Sequence, residues 1–151
     1  MSRKIAELLV MPRGFENAHH EALMGLMLVS GQQNEKQRKF FKPFGISAQQ
    51  YNVLRILRGR HPEPCSLNVV KDRLMDKTSD VSRLVERLRG SGFIDRQQNG
   101  IDRRLVDISI TQQGLDLLLK LDATISEMWQ FSNITDAETH QLIELLEKIL
   151  E

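Results

Sequence analysis

The feature that most constrains the fold is a change in hydrophobic period between Thr78 and Ile110. In TSDVSRLVERLRGSG, apolar residues recur at i, i+3, i+4 and i+7 from Val81 to Leu88, which predicts an amphipathic helix. The next run, FIDRQQNGIDRRLVDISI, is prone to form strands and contains Asn-Gly, the strongest short hairpin signal. The sequence therefore predicts a helix that leads directly into a β-hairpin.

The predicted helix has one apolar and one charged face. Thr78 or Ser79 is expected to be its N-cap, and Gly90 and Gly92 are expected to end it. With a rotation of about 100° per residue, the polar side chains cluster opposite the apolar ones. The polar face consists of Ser79, Asp80, Arg83, Glu86 and Arg87.

A shorter helix precedes this one. Leu67, Val70 and Leu74 share one face of LNVVKDRL, and the polar residues 75–77 form a turn between the two helices. The prolines of HPEP predict an extended link before the short helix. Two short helices joined by a tight turn form a helix-turn-helix motif, which here is followed by a hairpin.

The hairpin is predicted to turn at Asn99-Gly100, because a two-residue type I′ turn needs positive φ at both central positions. In that register Asp95 faces Arg104 and Ile94 faces Leu105, so that opposite charges and apolar groups pair across the ribbon. A longer loop would shift this register.

Helices are predicted on both sides of this lobe. An uninterrupted helix spans Asn17 to Phe41, and its ALMGLMLV segment is apolar on nearly every side. Ser47 and Gln50 form a capping box that begins the next helix, which Gly59 is expected to end.

After the hairpin, Thr111 caps a helix whose apolar period continues to Trp129. Thr135 and Glu138 form a second capping box before the last helix. Neither helix has a basic face. With the N-terminal helix they are predicted to form a dimerisation layer, since a two-fold partner would bury the apolar stripes and set two recognition helices about one duplex turn apart.

Length and pattern together predict one domain at 1–151, mainly α, with a small antiparallel β-hairpin wing. A winged helix-turn-helix lobe is expected at 45–111, and dimerisation helices are expected at 1–44 and 112–151.

Charge is distributed unevenly, although the net charge is only +1. Residues 1–70 hold 10 Lys+Arg and 5 Asp+Glu, residues 71–104 hold 9 and 6, and residues 105–151 hold 2 and 9. A basic part joined to an acidic tail is typical of a surface that meets a polyanion. In a winged helix that polyanion is double-stranded DNA, whose major groove takes the recognition helix while the ribbon reaches the backbone or the minor groove.

From about Phe15 to the C-terminus, the residues resemble the MarR family of bacterial winged-helix regulators. The shared features are an apolar first helix, GISAQQYNVL, the helix-turn-helix, a GF-I-D-R strand, Asp102-Arg103-Arg104 six residues beyond Arg96, and Thr111-x-x-Gly114. The resemblance implies a homodimer on a pseudo-palindromic promoter site, usually a repressor, released by a small, often aromatic, ligand or by thiol oxidation. The wing departs from the family pattern because Gln97-Gln98-Asn99-Gly100 replaces the usual tip proline.

By position, the resemblance implies that Thr78 to Arg87 is the recognition helix and that Asp102 braces the wing. Of Arg103 and Arg104, one is expected to pair within the ribbon and one to bind DNA. The expected DNA contacts are Thr78, Ser79, Asp80, Ser82, Arg83, Arg87, Arg96, Gln98, Asn99, Arg103 and Arg104. The alternative for the helix arginines is a solvated face, and for residues 97–99 it is a polar turn without a DNA contact.

Cys65 is the only cysteine, and the N-terminus lacks the apolar core of a signal peptide, which together predict a reducing cytoplasm. No apolar stretch approaches the roughly 20 residues that span a bilayer, so no membrane contact is expected. Cys65 lies in the link before the helix-turn-helix and is expected to be a packed thiol rather than an oxidation sensor.

Other functions find little support in the sequence. The histidines lack zinc-ligand spacing, and no phosphate loop or nucleophile elbow occurs, so neither a cofactor nor an enzymatic activity is expected. A pocket for a small aromatic ligand, lined by Met24, Met27, Met128 and Trp129, is a hypothesis beside their packing as core. The alternative function is a protein-interaction adaptor without sequence-specific DNA binding.

Overall fold

The computed structural model describes residues 3–100 and 106–151. The helices are α1 (Arg3–Leu8), α2 (Ala18–Phe41), α3 (Ala48–Arg58), α4 (Leu67–Arg73), α5 (Val81–Gly90), α6 (Gln112–Asp122), α7 (Ile125–Met128) and α8 (Asp136–Leu150). The strands are β1 (Cys65–Ser66), β2 (Ile94–Gln98) and β3 (Val106–Ile110). A 3₁₀ turn (Lys42–Phe44) connects α2 to α3. The predicted mainly α winged helix-turn-helix fold is confirmed.

Side-chain caps fix where most helices begin. Both predicted capping boxes are present, at Ser47 with Gln50 and at Thr135 with Glu138. The Ser47 amide donates to Gln50 Oε1 at 2.8 Å, and the Gln50 amide donates to Ser47 Oγ at 3.1 Å. Thr111 caps α6 as predicted. These caps can be predicted from the sequence, because each cap involves residues only three positions apart.

The hydrophobic core lies within the lobe formed by α3 to α7 and the sheet, together with the end of α2. Its most sheltered large side chains are Phe41, Leu54, Leu57, Val70, Leu88, Ile108, Leu118 and Leu121. The two long terminal helices contribute little: α2 buries only Gly25 and Phe41, and α8 buries none of its residues. Within the described residues, no helix is both long and apolar enough to cross a lipid bilayer.

The sheet has three antiparallel strands in the order β1-β3-β2. HPEP is mostly a turn, so the predicted extended link there is wrong. The two residues that follow it supply an additional strand, in which Cys65 pairs with Ile108. Pairing with β1 covers one edge of β3, so that the wing is anchored to the lobe along the strand that carries its buried residues.

The predicted hairpin register is wrong. Ile94 pairs with Ile110, and Asp95 pairs with Ser109 instead of Arg104. Among the described residues, neither Asn99 nor Gly100 has positive φ, so the two-residue type I′ turn does not form there. The observed register places Ile94 and Ile110, both buried, opposite each other, because burial of the apolar face outweighs the local Asn-Gly preference.

The predicted continuous helix from Thr111 to Trp129 is also wrong. It divides at Ala123 and Thr124 into α6 and α7. Thr124 has φ −127° and ψ −17°, which is not helical. Beyond the break, Ile125 and Met128 are buried at 8% and 4% exposure, and α7 packs against α2.

Candidate nucleic-acid interface

The N-cap of α5, the predicted recognition helix, is Asp80, so the predicted N-caps Thr78 and Ser79 are wrong. The Asp80 side chain accepts a hydrogen bond from the Arg83 amide at 3.1 Å. Thr78 Oγ1 and Ser79 Oγ instead donate to the carboxylate of Asp76, at 2.6 and 2.9 Å. With both hydroxyls engaged by Asp76, the next short polar side chain caps the helix.

The turn between α4 and α5 is held by two charged side chains that sequence reasoning did not single out. Hydrogen bonds from the Thr78 hydroxyl and amide, and then from the Ser79 hydroxyl, hold the pKa of Asp76 below its usual value. Lys77 Nζ donates to the carbonyl oxygens of Asp72 at 2.5 Å and of Lys71 at 3.4 Å, near the end of α4. Residues of mixed polarity in a short turn carry no periodic signal, which explains why these contacts were missed.

The two faces of α5 are as predicted. Val81, Val85 and Leu88 are buried against the lobe. Arg83 and Arg87 are exposed on the opposite side, one turn apart. Within the part of the chain that the structure describes, neither guanidinium group forms an ion pair or a hydrogen bond. Both groups can therefore meet a ligand without first breaking a contact.

Arg96, a predicted DNA contact, is engaged within the protein. Its Nη1 lies 2.5 Å from Oε1 of Glu86, on the outer face of α5. The other carboxylate oxygen of Glu86 lies 3.4 Å from Arg89 Nη1. The helix periodicity placed Glu86 on the charged face, but the contact with the strand depends on tertiary structure.

The wing is described up to Gly100 and again from Val106. Gln97 and Gln98 are exposed on β2, and the Asn99 amide group donates to Asp107 Oδ2 at 2.8 Å. The predicted contacts Arg103 and Arg104 and the predicted brace Asp102 lie outside the described residues.

A groove of about 1480 Å³ lies between α2, α3 and the helix-turn-helix turn. Tyr51, Arg55, Arg73 and Trp129 are among its lining residues. The guanidinium carbon of Arg55 lies 5.9 Å from the centre of the Tyr51 ring. The groove therefore combines aromatic surface with positive charge.

The four residues predicted to line a pocket are not brought together. Trp129 lines the groove, whereas Met27 lines a separate, shallower cavity on α2. Met128 is buried in the core, and Met24 contributes to neither cavity. Met128 packs in the core, whereas Met27 lies on the outer face of its helix. Helical periodicity alone does not distinguish these two environments of methionine.

Cys65 is a packed thiol, as predicted. It lies in β1 with 4% exposure, and burial raises the pKa of its thiol. A raised pKa lowers the fraction of reactive thiolate. Within the described residues, no group of three or more His, Cys, Asp and Glu side chains could hold a metal ion.

Comparisons with known proteins place this geometry among transcription regulators. No model of a known protein family matches the chain. A MarR transcription factor from Planctomyces limnophilus is 32% identical, with a TM-score of 0.70 over 89% of this chain and 98% of that one. The HTH-type transcriptional regulator PapX of Escherichia coli is 28% identical over 116 residues, which are 74% of this chain and 70% of PapX.

A third relative has been solved with DNA. It is a mutant MarR from E. coli complexed with operator DNA, 23% identical, with a TM-score of 0.74 over 83% of this chain and 91% of that one. At that identity the likeness concerns the fold.

Proposed function

This chain belongs to the MarR family of winged helix-turn-helix transcription regulators and is a DNA-binding regulator; from that premise we propose that it is a homodimeric repressor of a pseudo-palindromic promoter site. The observation that carries the proposal is the pair of exposed guanidinium groups of Arg83 and Arg87 on the outer face of α5. An α-helix fits the major groove, and arginine there can donate two hydrogen bonds to one guanine.

The proposed contacts follow the geometry of the lobe. Ser82, Arg83 and Arg87 face the bases and nearby phosphates. Thr78 and Ser79 lie just before the N-terminal end of α5, where backbone amides favour phosphate. The Asp80 carboxylate instead offers an acceptor for a base amino group in the major groove. The wing contributes Gln98, Asn99, Arg103 and Arg104, with Asp102 as the brace.

The proposed dimer covers the apolar faces of the terminal helices. Leu23 and Met27 of α2 are 57% and 61% exposed, and Leu145 and Ile149 of α8 are 58% and 66% exposed. Apolar surface of this extent on two long helices is typical of a protein interface. A two-fold partner would bury these residues and pair the two lobes on one duplex.

We also propose that a small aromatic acid regulates DNA binding through the groove beside α3. Arg55 and Arg73 supply positive charge for a carboxylate, and Tyr51 and Trp129 supply aromatic surface. Because Arg73 lies at the end of α4, a ligand held there contacts the helix-turn-helix directly. The ligand would lower DNA affinity if it binds a dimer with wrongly spaced recognition helices more tightly than the DNA-binding dimer. The loss of DNA affinity then equals the difference between the ligand's binding free energies for the two dimer shapes.

This mode of regulation needs no catalytic step and takes place in the cytoplasm with the chromosome. The affinity of the protein for DNA should depend steeply on salt concentration, because each phosphate that the protein neutralises releases counterions. Contact with about 6 to 10 phosphates would reduce affinity by roughly 10³ to 10⁵ between 50 and 200 mM salt.

A gel-shift series tests the proposal. The probe is DNA flanking the chain's own gene, and the competitor is unrelated DNA at the same salt concentration. We expect a clear preference for the flanking DNA, and we expect Arg83→Ala to relax base preference. No preference at any salt concentration, or a salt-insensitive complex with an acidic protein in place of DNA, would contradict the proposal and favour the adaptor.

A further inference from the structure

One ion pair joins the recognition helix to the wing. Glu86 Oε1 on α5 lies 2.5 Å from Arg96 Nη1 on β2, ten residues later in the chain. Glu86 forms a second ion pair with Arg89, at 3.4 Å. Both of these residues lie in α5, three positions apart. Only the first of these contacts can fix the orientation of the strand relative to the helix.

The pleat of β2 supports this assignment. Side chains two residues apart in a strand point to the same face. Arg96 therefore shares the face of Ile94, which is buried at 1% exposure, and not the face of Asp95 and Gln97. A guanidinium on that face is directed back toward α5, where Glu86 meets it.

We propose that Glu86 is a positioning residue, which holds the wing against the recognition helix through Arg96, and that Arg96 is its anchor and not a phosphate contact. This inference rests on the proposed function. The pair is partly exposed, at 40% for Arg96 and 48% for Glu86, and such pairs add little to folding stability. Loss of the pair should therefore leave folding stability nearly unchanged, and the effect should appear in the position of the wing on DNA.

The chain offers a matched control for each partner. Arg89→Gln removes the same charge as Arg96→Gln, and it breaks only the contact within the helix region. Asp95→Asn removes the same charge as Glu86→Gln beside the same arginine, and no ion pair of Asp95 occurs among the described residues.

The first readout is hydroxyl-radical footprinting with measurement of the salt slope. We expect Glu86→Gln and Arg96→Gln each to weaken protection by the wing and to reduce affinity roughly 3- to 10-fold. The double variant should lose no more than either single variant, because both remove one contact. The exchanged pair, Glu86→Arg with Arg96→Glu, should restore wing protection. Neither control should move the wing footprint.

The salt slope distinguishes anchoring from phosphate contact. If Arg96 only anchors the wing, Arg96→Gln and Glu86→Gln change the slope by the same amount. If Arg96 contacts a phosphate, Arg96→Gln lowers the slope by about 0.9 more than Glu86→Gln does, and the wing footprint survives in Glu86→Gln; either result would overturn the proposal.

The second readout needs no DNA and separates failure of this inference from failure of the proposed function. Residual dipolar couplings of the free protein report the orientation of β2 amides relative to α5. We expect the same orientation in the wild type, Arg89→Gln and Asp95→Asn, and a changed or averaged one in Glu86→Gln and Arg96→Gln. An unchanged orientation in both pair variants would overturn the inference even if DNA binding is intact.

Discussion

At the scale of single residues, Gly114 lies where α6 packs closely against Phe93 and Ile110. A Cβ atom at Gly114 would lie 2.7 Å from Ile110 Cγ1 and would also clash with the backbone oxygen of Phe93. We expect Gly114→Ala to reduce the free energy of unfolding by about 1 to 3 kcal/mol, because the strand must shift to admit the methyl group. Thermal and urea unfolding measure this.

The control for that substitution is Gly90→Ala. Gly90 is also helical, and nothing lies within 4 Å of its Cβ position. Alanine there should leave stability unchanged or raise it by up to about 1 kcal/mol through helix propensity. Equal loss in both variants would mean that the close approach at Gly114 is not the cause.

Asp76 gives a prediction of pH dependence at the same scale. Donation by Thr78 and Ser79 favours the carboxylate, so the folded pKa of Asp76 lies below its usual value of 3.8. The turn contacts are therefore fully present above pH 3.8 and are lost as pH falls through the lower folded pKa. Carbon-13 titration of the carboxyl group should show a midpoint below 3.8.

Thr78→Val is the control for this titration, because valine keeps the shape of threonine and removes the hydroxyl donor. We expect the midpoint of Asp76 to move toward 3.8 in this variant. A wild-type midpoint at or above 3.8 would show that the hydroxyl contacts of Asp76 do not form.

At the scale of elements, the start of α5 is decided by Asp80. We expect Asp80→Ala to destabilise the protein by about 1 kcal/mol, because it removes the acceptor of the Arg83 amide. Asp80→Asn should largely retain stability, since asparagine caps equally well. Chemical denaturation measures both variants, and a larger loss from Ser79→Ala than from Asp80→Ala would contradict the assigned cap.

Elements set by local chemistry were predictable from the sequence, and elements set by burial were not. Ser47, Thr111 and Thr135 each cap a helix through a residue three positions away, and all three were predicted. The hairpin register depends instead on bringing Ile94 and Ile110 together in the core. The Asn-Gly signal acts only within the loop and could not specify that pairing.

The same division applies to the candidate site. The outward face of α5 follows from helical periodicity, so the exposure of Arg83 and Arg87 was predictable. The engagement of Arg96 by Glu86 was not, because it depends on how β2 crosses α5. Their proposed roles on DNA remain predictions for the experiments above.

At the scale of the whole molecule, dimer formation should depend on the outer face of α8. We expect the double substitution Leu145→Glu with Ile149→Glu to convert the protein to a monomer, because it places charges in the proposed apolar interface. Sedimentation velocity measures this. The control is Met75→Gln, which changes an 86% exposed apolar residue in the helix-turn-helix turn and should leave the dimer intact.

The central claim is that the outer face of α5 lies in the major groove of promoter DNA, and protection of guanine N7 from dimethyl sulfate tests it most directly. For the wild type on DNA flanking its own gene, we predict two protected clusters about one helical turn apart. We predict that Arg87→Gln removes protection within both clusters, whereas Arg89→Gln does not. Wild-type protection that is absent, or that survives in Arg87→Gln, would contradict the account.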